Sequence, residues 1–177
     1  MRPAFKGMRE LNRIQSRVYK SVVPEDFNDR FNMLVCAPTG AGKTNVAVLA
    51  VLNEIRRYVK DDQIDVKHLK EHLKVVYVAP MKALVQEVVS NLGGRFSGAP
   101  FEMQVRELSG DQQLSRSELD STQIIVTTPE KWDVVTRKAG DRAFTQSVRL
   151  VIVDEIHLLH DMRGAVLEAV RLLVGKQ

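Results

Sequence analysis

The sequence predicts an α/β protein built on a doubly wound, mostly parallel sheet. Short runs rich in β-branched residues alternate with longer segments in which apolar residues recur at helical spacing. Each run is almost continuously apolar, which is typical of a parallel strand buried on both faces. Repeated strand–helix–strand alternation indicates successive βαβ units with helices on both faces of the sheet. The predicted strands are residues 33–36, 75–79, 104–108, 123–127 and 150–153, and the predicted helices are residues 11–22, 43–58, 82–92, 129–138 and 164–174.

The composition of the 177-residue chain is that of a globular domain. Apolar residues make up 44% and charged residues 27%, which argues against a largely disordered chain. The longest uninterrupted apolar run, residues 46–52, is far shorter than the roughly 18 residues of a membrane-spanning helix, so no membrane partner is expected. The single cysteine, Cys36, excludes an internal disulfide and favours a reducing compartment. The net charge of +4 permits a nucleic-acid partner without establishing one.

The first predicted strand is followed by a glycine-rich segment with the spacing of a phosphate-binding loop. The segment, APTGAGKT, has alanine in the first position, where the general pattern has glycine. Glycines let the backbone turn so that several N–H groups face one anion, and the following helix adds the positive end of its dipole. The lysine ammonium would reach the β- and γ-phosphates of ATP, and the threonine hydroxyl would ligate Mg²⁺. The predicted nucleotide-binding residues are Ala37, Pro38, Thr39, Gly40, Ala41, Gly42, Lys43 and Thr44.

Residues 61–74 separate the second predicted helix from the second predicted strand and differ in composition from the rest of the chain. This segment is rich in charge and contains two of the four histidines. His68 and His72 are four residues apart and would share a helix face, so a metal pair is conceivable. Because no cysteine or third histidine lies nearby in sequence, we interpret the segment as a solvated surface insertion.

The last predicted strand supplies the acidic residues that a phosphate-binding loop requires. Residues 150–153 are apolar and are followed directly by Asp154 and Glu155. The strand places them at the carboxyl edge of the sheet, where ligands of open α/β sheets bind. Asp154 would hold Mg²⁺ through its water shell, together with Thr44, and Glu155 would orient and polarise the attacking water. The sequence thus predicts Lys43, Asp154 and Glu155 as catalytic residues.

Two further residues have competing interpretations. Trp132 is the single tryptophan and could stack a nucleic-acid base, but we expect it to pack a helix against the sheet. Cys36 is expected to be a small core residue at the end of the first strand rather than a redox switch.

Five segments together resemble the motifs of one enzyme family, and they occur in that family's order. Residues 154–157, DEIH, resemble the second motif of the DExH-box helicases of superfamily two. Gln15 resembles their adenine-reading glutamine, and residues 79–87 resemble their motif Ia. Residues 108–111 and 127–133 resemble the further nucleic-acid-contacting motifs of the first RecA-like domain. The group indicated is the superkiller-like branch, which implies a RecA-like P-loop NTPase fold.

The resemblance implies roles for residues that chemistry alone leaves unassigned. Gln15 would read the adenine edge, and His157, as a further catalytic residue, would link the nucleotide site to the nucleic-acid side or to a partner domain. The turns that follow two of the strands would hold the phosphates of a tracking single strand, since helix N-termini and backbone N–H groups bind phosphate without reading sequence. The implied nucleic-acid-binding residues are Pro80, Met81, Lys82, Gly110, Asp111, Thr128, Pro129 and Glu130.

Within this branch the chain is most similar to spliceosomal helicases, which implies a nuclear, ATP-dependent RNA helicase that acts in pre-mRNA splicing by unwinding paired small nuclear RNAs. The implied partners are single-stranded or partly duplex RNA, spliceosomal proteins and the second RecA-like domain of the same parent chain. One alternative is a related DNA or RNA helicase in repair or transcription, of the activating signal cointegrator type. Another is a non-catalytic nucleotide-binding scaffold, against which the intact Lys43, Asp154 and Glu155 argue.

The resemblance extends over residues 1–177 as a first RecA-like ATP-binding domain, with an N-terminal helical segment over residues 1–30 that carries Gln15. In the family, a Ser-Ala-Thr segment and a second RecA-like domain with an arginine finger follow, and neither is found here. Such a finger contributes about 10³ to 10⁵ in rate. The expectation is therefore a truncated motor domain that binds adenine nucleotide weakly, hydrolyses it very slowly and does not unwind nucleic acid by itself.

Overall fold

The computed structural model describes residues 2–5, 7–26, 32–108, 114–137 and 142–159. Its main strands are β3 (Lys74–Val78), β4 (Val105–Leu108), β5 (Ile124–Thr127) and β6 (Val148–Val153), and a short antiparallel hairpin consists of β1 (Val59–Lys60) and β2 (Gln63–Ile64). The four main strands form one parallel sheet in the order β4–β5–β3–β6. The predicted parallel α/β architecture is therefore confirmed.

Seven α-helices are described alongside the sheet. They are α1 (Arg13–Val22), α2 (Lys43–Arg56), α3 (Val66–His72), α4 (Lys82–Phe96), α5 (Arg116–Ser121), α6 (Pro129–Arg137) and α7 (Arg142–Ser147), with short 3-10 helices at Arg2–Phe5 and Ile156–Leu159. Four predicted helices are confirmed to within a few residues at their ends, and the predicted helix 164–174 lies outside the described residues. Within the described ranges, no helix is long and apolar enough to cross a bilayer.

Alternate residues of each main strand serve two separate cores, one on each face of the sheet. On one face, Val75 and Tyr77 pack with α2 and α4. On the other face, Val76 and Val78 pack with α6 and α7. Trp132 of α6 is fully buried there, with its ring centroid 6.4 Å from that of Phe144 in an edge-on contact. This confirms Trp132 as a packing residue.

The predicted strand 33–36 does not form in the structure. Residues 32–38 have no regular secondary structure, the Leu34 side chain is 71% exposed, and Cys36 is exposed. A strand is defined by pairing, and β6 pairs only with β3 among the described residues, so residues 33–36 have no strand beside them. The interpretation of Cys36 as a core residue is wrong for the same reason.

The insertion at residues 61–74 is more structured than its composition indicates. It contains β2 and α3, and Asp65 caps α3 by accepting a hydrogen bond from the His68 N–H. Leu69 and Leu73 have no exposed surface and belong to the core shared with α2 and α4. Apart from the buried Lys74, the charged residues of this segment are exposed or partly exposed, and its leucines attach it to the domain.

Candidate functional site

The glycine-rich segment turns sharply into the first turn of α2. Gly40 and Gly42 have φ values of +80° and +86°, which a residue with a side chain adopts only with strain. Gly42 is the N-cap of α2 and provides no side-chain cap. The N–H groups of Gly42, Lys43 and Thr44 have no acceptor among the described residues. Unpaired N–H groups at a helix N-terminus are the arrangement that binds a phosphate.

Lys43 connects this turn to the end of β6. Its ammonium donates to the Ala37 carbonyl at 3.2 Å and lies 3.1 Å from Oε1 of Glu155. Both side chains of the ion pair are about three-quarters buried, at 28% and 26% exposure. The structure thus brings together two predicted site residues that are more than a hundred positions apart in sequence.

The Asp154 carboxylate is held by two donors at the end of β6. The Glu155 N–H donates to Oδ1 at 2.9 Å, and the Tyr77 hydroxyl donates to Oδ2 at 2.7 Å. Burial, together with this hydrogen bond, raises the pKa of Tyr77 far above its usual range, so the hydroxyl remains protonated. Sequence reasoning missed Tyr77, although a phenol inside an otherwise aliphatic buried strand was a visible signal.

Glu155 has an unusual backbone and contacts the side chains of Lys43 and His157. Its φ of +46° lies in the left-handed region, which is costly for a residue with a side chain. Its second carboxylate oxygen, Oε2, lies 3.3 Å from Nδ1 of His157. Glu155 therefore bridges Lys43 and His157, while the His157 side chain is 70% exposed and faces away from the sheet interior.

Gln15 lies beside the glycine-rich turn, as the resemblance requires. Its Oε1 accepts from the Asn12 N–H at 3.0 Å, and its N–H donates to Oδ1 of Asn12 at 2.9 Å, so the two residues form a capping box for α1. Its Nε2 donates to the Gly42 carbonyl at 3.4 Å, and Nδ2 of Asn12 donates to the Ala41 carbonyl at 2.9 Å. Gln15 is 1% exposed, so here its amide fastens α1 to the turn.

Two further candidate turns lie at the same carboxyl edge of the sheet. Residues 80–82 follow β3 and begin α4, while residues 128–130 follow β5 and begin α6. The Ala79 N–H donates to the Thr127 carbonyl at 2.9 Å, which joins the two strand ends. Met81, Lys82 and Glu130 are exposed, whereas Pro80 and Pro129 are buried and Thr128 is half-buried. The remaining candidates in this group, Gly110 and Asp111, lie outside the described residues.

His68 and His72 do share one face of α3, as their spacing predicts. Together with Glu71 they form a group whose ligand atoms all lie within 4.8 Å of one another. The histidine ring centroids are 4.4 Å apart. All three side chains are exposed, and α3 lies between β2 and β3 in the chain, apart from the turns described above.

Comparison with known proteins places this arrangement in a family. A family model described as "DEAD/DEAH box helicase" matches residues 12–176. The chain is 54% identical over 170 residues to the "U5 small nuclear ribonucleoprotein 200 kDa helicase" of Drosophila melanogaster, which is 96% of this chain and 8% of that protein. It is also 54% identical over 168 residues to "Activating signal cointegrator 1 complex subunit 3" of Gallus gallus, which is 94% of this chain and 7% of that protein.

A solved structure gives the same fold. The "DEAD-box helicase Mss116 bound to ssRNA and UDP-BeF" has a TM-score of 0.75 and 18% identity, over 98% of this chain and 34% of that chain. At this identity the likeness shows the fold alone, and it confirms the predicted RecA-like architecture. The chain spans less than a tenth of the length of the two relatives. Because the family match extends over nearly the whole chain, the chain belongs to the DEAD/DEAH box helicase family.

Proposed function

We propose that residues 1–177 form the first RecA-like, ATP-binding domain of an ATP-dependent RNA helicase that acts in pre-mRNA splicing in the nucleus. The observation that carries this proposal is the meeting of Lys43 with Glu155 beside unpaired N–H groups at the start of α2. The identity to the Drosophila U5 200 kDa helicase supports the splicing assignment. Small nuclear RNA, spliceosomal proteins and a second RecA-like domain are the partners proposed on this basis.

The chemistry proposed for the site is in-line attack of water on the γ-phosphate of ATP. The phosphates bind the N–H groups of residues 42–44, and the Lys43 ammonium moves from Glu155 to the β- and γ-phosphates. Glu155, released from Lys43, orients and polarises the attacking water. His157, in contact with Glu155, is the proposed link between hydrolysis and the nucleic-acid side of the domain.

The donor set at this site suits Mg²⁺. Thr44 offers a hydroxyl oxygen in the first turn of α2, and Asp154 offers a carboxylate at the end of β6. Hard oxygen ligands with room for several waters are what Mg²⁺ requires. When bound, the ion neutralises charge that develops on the phosphate oxygens.

For adenine, the proposed contact uses the hydrogen-bonding capacity of the Gln15 amide that is not already engaged within the protein. Nε2 has a second hydrogen, and Oε1 has a second lone pair, beyond those engaged with Gly42 and Asn12. Since Gln15 is 1% exposed, the atoms that cover its amide have to move aside before these two groups can meet the adenine edge. For RNA, the proposed contacts are the turns at residues 80–82 and 128–130, together with Gly110 and Asp111. Such contacts hold phosphates without reading sequence.

A binding experiment tests the nucleotide site. We expect the chain to bind a fluorescent ATP analogue in the presence of Mg²⁺, and Lys43→Ala to weaken binding about 10- to 100-fold, because a charge-assisted contact to phosphate is lost. Lys67→Ala, which removes an exposed lysine from α3, serves as the matched control. Equal affinity of the wild-type chain and Lys43→Ala would contradict the proposal.

The second candidate function is a helicase of the activating signal cointegrator type, because the identity to that relative is equally high. Two chimaeras separate the candidates: this chain replaces the matching segment of the U5 200 kDa helicase in one and of the cointegrator subunit in the other. We expect the first chimaera to unwind paired small nuclear RNAs and the second to be inactive on its own duplex substrates. The opposite result would favour the cointegrator assignment.

A further inference from the structure

Tyr77 occupies the strand position from which a phenol reaches the end of the neighbouring strand. It lies on β3, between β5 and β6, in register with Val126 on one side and Ile152 on the other. Asp154 is two residues beyond Ile152 and therefore on the same face of the sheet as Tyr77. Two residues of strand advance about 6.6 Å, which is close to the length of a tyrosine side chain. The sheet register alone thus directs the hydroxyl to the Asp154 carboxylate.

The position of both partners is fixed by the surrounding sheet. The Asp154 N–H donates to the Val78 carbonyl at 2.9 Å, so the β3–β6 ladder continues one residue past the end of β6. The Tyr77 ring is 2% exposed and packs in the core formed with α2 and α4. Neither the ring nor the backbone of Asp154 can shift without disturbing the central strand.

The two hydrogen bonds leave the carboxylate of Asp154 with one defined orientation. Oδ2 accepts from the Tyr77 hydroxyl at 2.7 Å, and Oδ1 accepts from the Glu155 N–H at 2.9 Å. Each oxygen keeps lone pairs for a further donor, such as a water molecule in the shell of a metal ion. Partners that orient a metal-binding carboxylate contribute to metal affinity although they do not touch the metal.

We propose that Tyr77 is a positioning residue, whose hydroxyl sets the carboxylate orientation in which Asp154 holds the water shell of Mg²⁺ and thereby determines the metal-dependent part of nucleotide affinity. This inference rests on the proposed function, because it requires a metal–nucleotide complex at this site. It assigns to β3 a contribution to the nucleotide site in addition to its place at the centre of the sheet.

Calorimetric titration of the chain with ADP, in saturating Mg²⁺ and in EDTA, tests the inference. We expect Tyr77→Phe to weaken ADP binding about 10-fold in Mg²⁺ and to leave binding in EDTA unchanged, because only the orientation of Asp154 is lost. Electron paramagnetic resonance of Mn²⁺ in the ADP complex gives a second readout, and we expect weaker Mn²⁺ retention in the variant. Replacing Tyr77 by 3-fluorotyrosine alters the donor strength of the hydroxyl while keeping the ring and the hydroxyl. We expect it to change the affinity for ADP in Mg²⁺ and not in EDTA.

Two controls separate positioning from packing. Tyr58→Phe removes the same atom from a tyrosine that is 7% exposed; it follows the C-terminus of α2, about 21 Å along the helix from Lys43. We expect Tyr58→Phe to leave the affinity for ADP unchanged, both in Mg²⁺ and in EDTA. In an Asp154→Asn background, Tyr77→Phe should have no further effect in Mg²⁺, because the two residues act through one carboxylate.

Three outcomes would overturn the inference. Tyr77→Phe could weaken ADP binding equally in Mg²⁺ and in EDTA, it could leave ADP binding in Mg²⁺ unchanged, or its effect on ADP binding could add to that of Asp154→Asn. Failure of the wild-type chain to bind ADP in either arm would instead contradict the proposed function, and the inference with it.

Discussion

The Lys43 ammonium lies 3.1 Å from Oε1 of Glu155, so the proposed phosphate-binding lysine and the proposed general base neutralise each other. Lys43 cannot hold this contact and at the same time place its charge on a β- or γ-phosphate. Nucleotide binding therefore has to break the ion pair, and doing so frees the carboxylate of Glu155 for water. After Lys43 has moved, the contact with Nδ1 of His157 at 3.3 Å remains to Glu155. In the proposed site, the ion pair would therefore couple nucleotide occupancy to the availability of the Glu155 carboxylate as a base.

Glu155→Gln should separate nucleotide binding from hydrolysis. An amide competes less strongly for Lys43, so we expect the affinity for an ATP analogue to remain the same or to rise. We expect the single-turnover hydrolysis rate to fall by about 10²- to 10⁴-fold, the contribution of a general base. Glu71→Gln, an exposed change on α3, should alter neither quantity. Unchanged hydrolysis in Glu155→Gln would contradict the general-base assignment and favour a non-catalytic nucleotide-binding module.

Gly42 and Gly40 should respond differently to alanine although both have positive φ. A Cβ at Gly42 would collide with Nε2 of Gln15 and lie 3.1 Å from Nδ2 of Asn12, whereas a Cβ at Gly40 meets nothing within 4 Å. Gly40→Ala should lower the free energy of unfolding only by the cost of a left-handed backbone for alanine, about 1–2 kcal/mol. Gly42→Ala should cost more and displace α1 from the turn. Urea unfolding of both variants measures the difference, and equal losses would refute the close approach of α1 to Gly42.

The positions of the glycine-rich turn and of the acidic residues at the end of β6 were predictable because the sequence patterns are local. Gly40, Gly42 and Lys43 need fixed spacing within one turn, and Asp154 needs only to follow a buried strand. Both features are properties of short segments. The parallel sheet followed from the same logic, since nearly continuous apolar runs are typical of strands covered on both faces.

What the sequence did not predict depends on contacts between distant segments. Residues 33–36 have the composition of a strand, yet a strand needs a partner, and none of the described strands lies beside them. Leu69 shows that a charged segment can contribute to the core through single residues. The hydrogen bond from Gln15 to Gly42 joins residues that are 27 positions apart, and the one from Tyr77 to Asp154 joins residues that are 77 positions apart. No local pattern encodes such distances.

Asn12 should contribute to both the stability of α1 and the position of the glycine-rich turn. Its side chain completes the capping box with Gln15 and donates to the Ala41 carbonyl at 2.9 Å. We expect Asn12→Ala to lower the free energy of unfolding by about 1 kcal/mol, the usual cost of a lost N-cap, and to weaken nucleotide binding. Arg17→Ala, an exposed change on the same helix, should change neither measurement. A loss of stability with unchanged nucleotide affinity would show that α1 does not position the turn.

Among the lysines of the described ranges, Lys74 should be the most costly to replace, because its ammonium binds the carbonyls at the end of α5. The residue is 5% exposed, and Nζ donates to the carbonyls of Leu119, Asp120 and Thr122. Lys74→Met keeps an unbranched side chain of similar length but leaves these buried carbonyls without a donor. We therefore expect the free energy of unfolding to fall by about 3 kcal/mol. Lys67→Met, an exposed change on α3, controls for the general effect of removing a lysine. Urea denaturation monitored by Trp132 fluorescence measures both variants, since this tryptophan is fully buried in the core beneath α6. A loss no larger than that of Lys67→Met would mean that water replaces the ammonium at the helix end, and that Lys74 does not fasten α5 to the central strand.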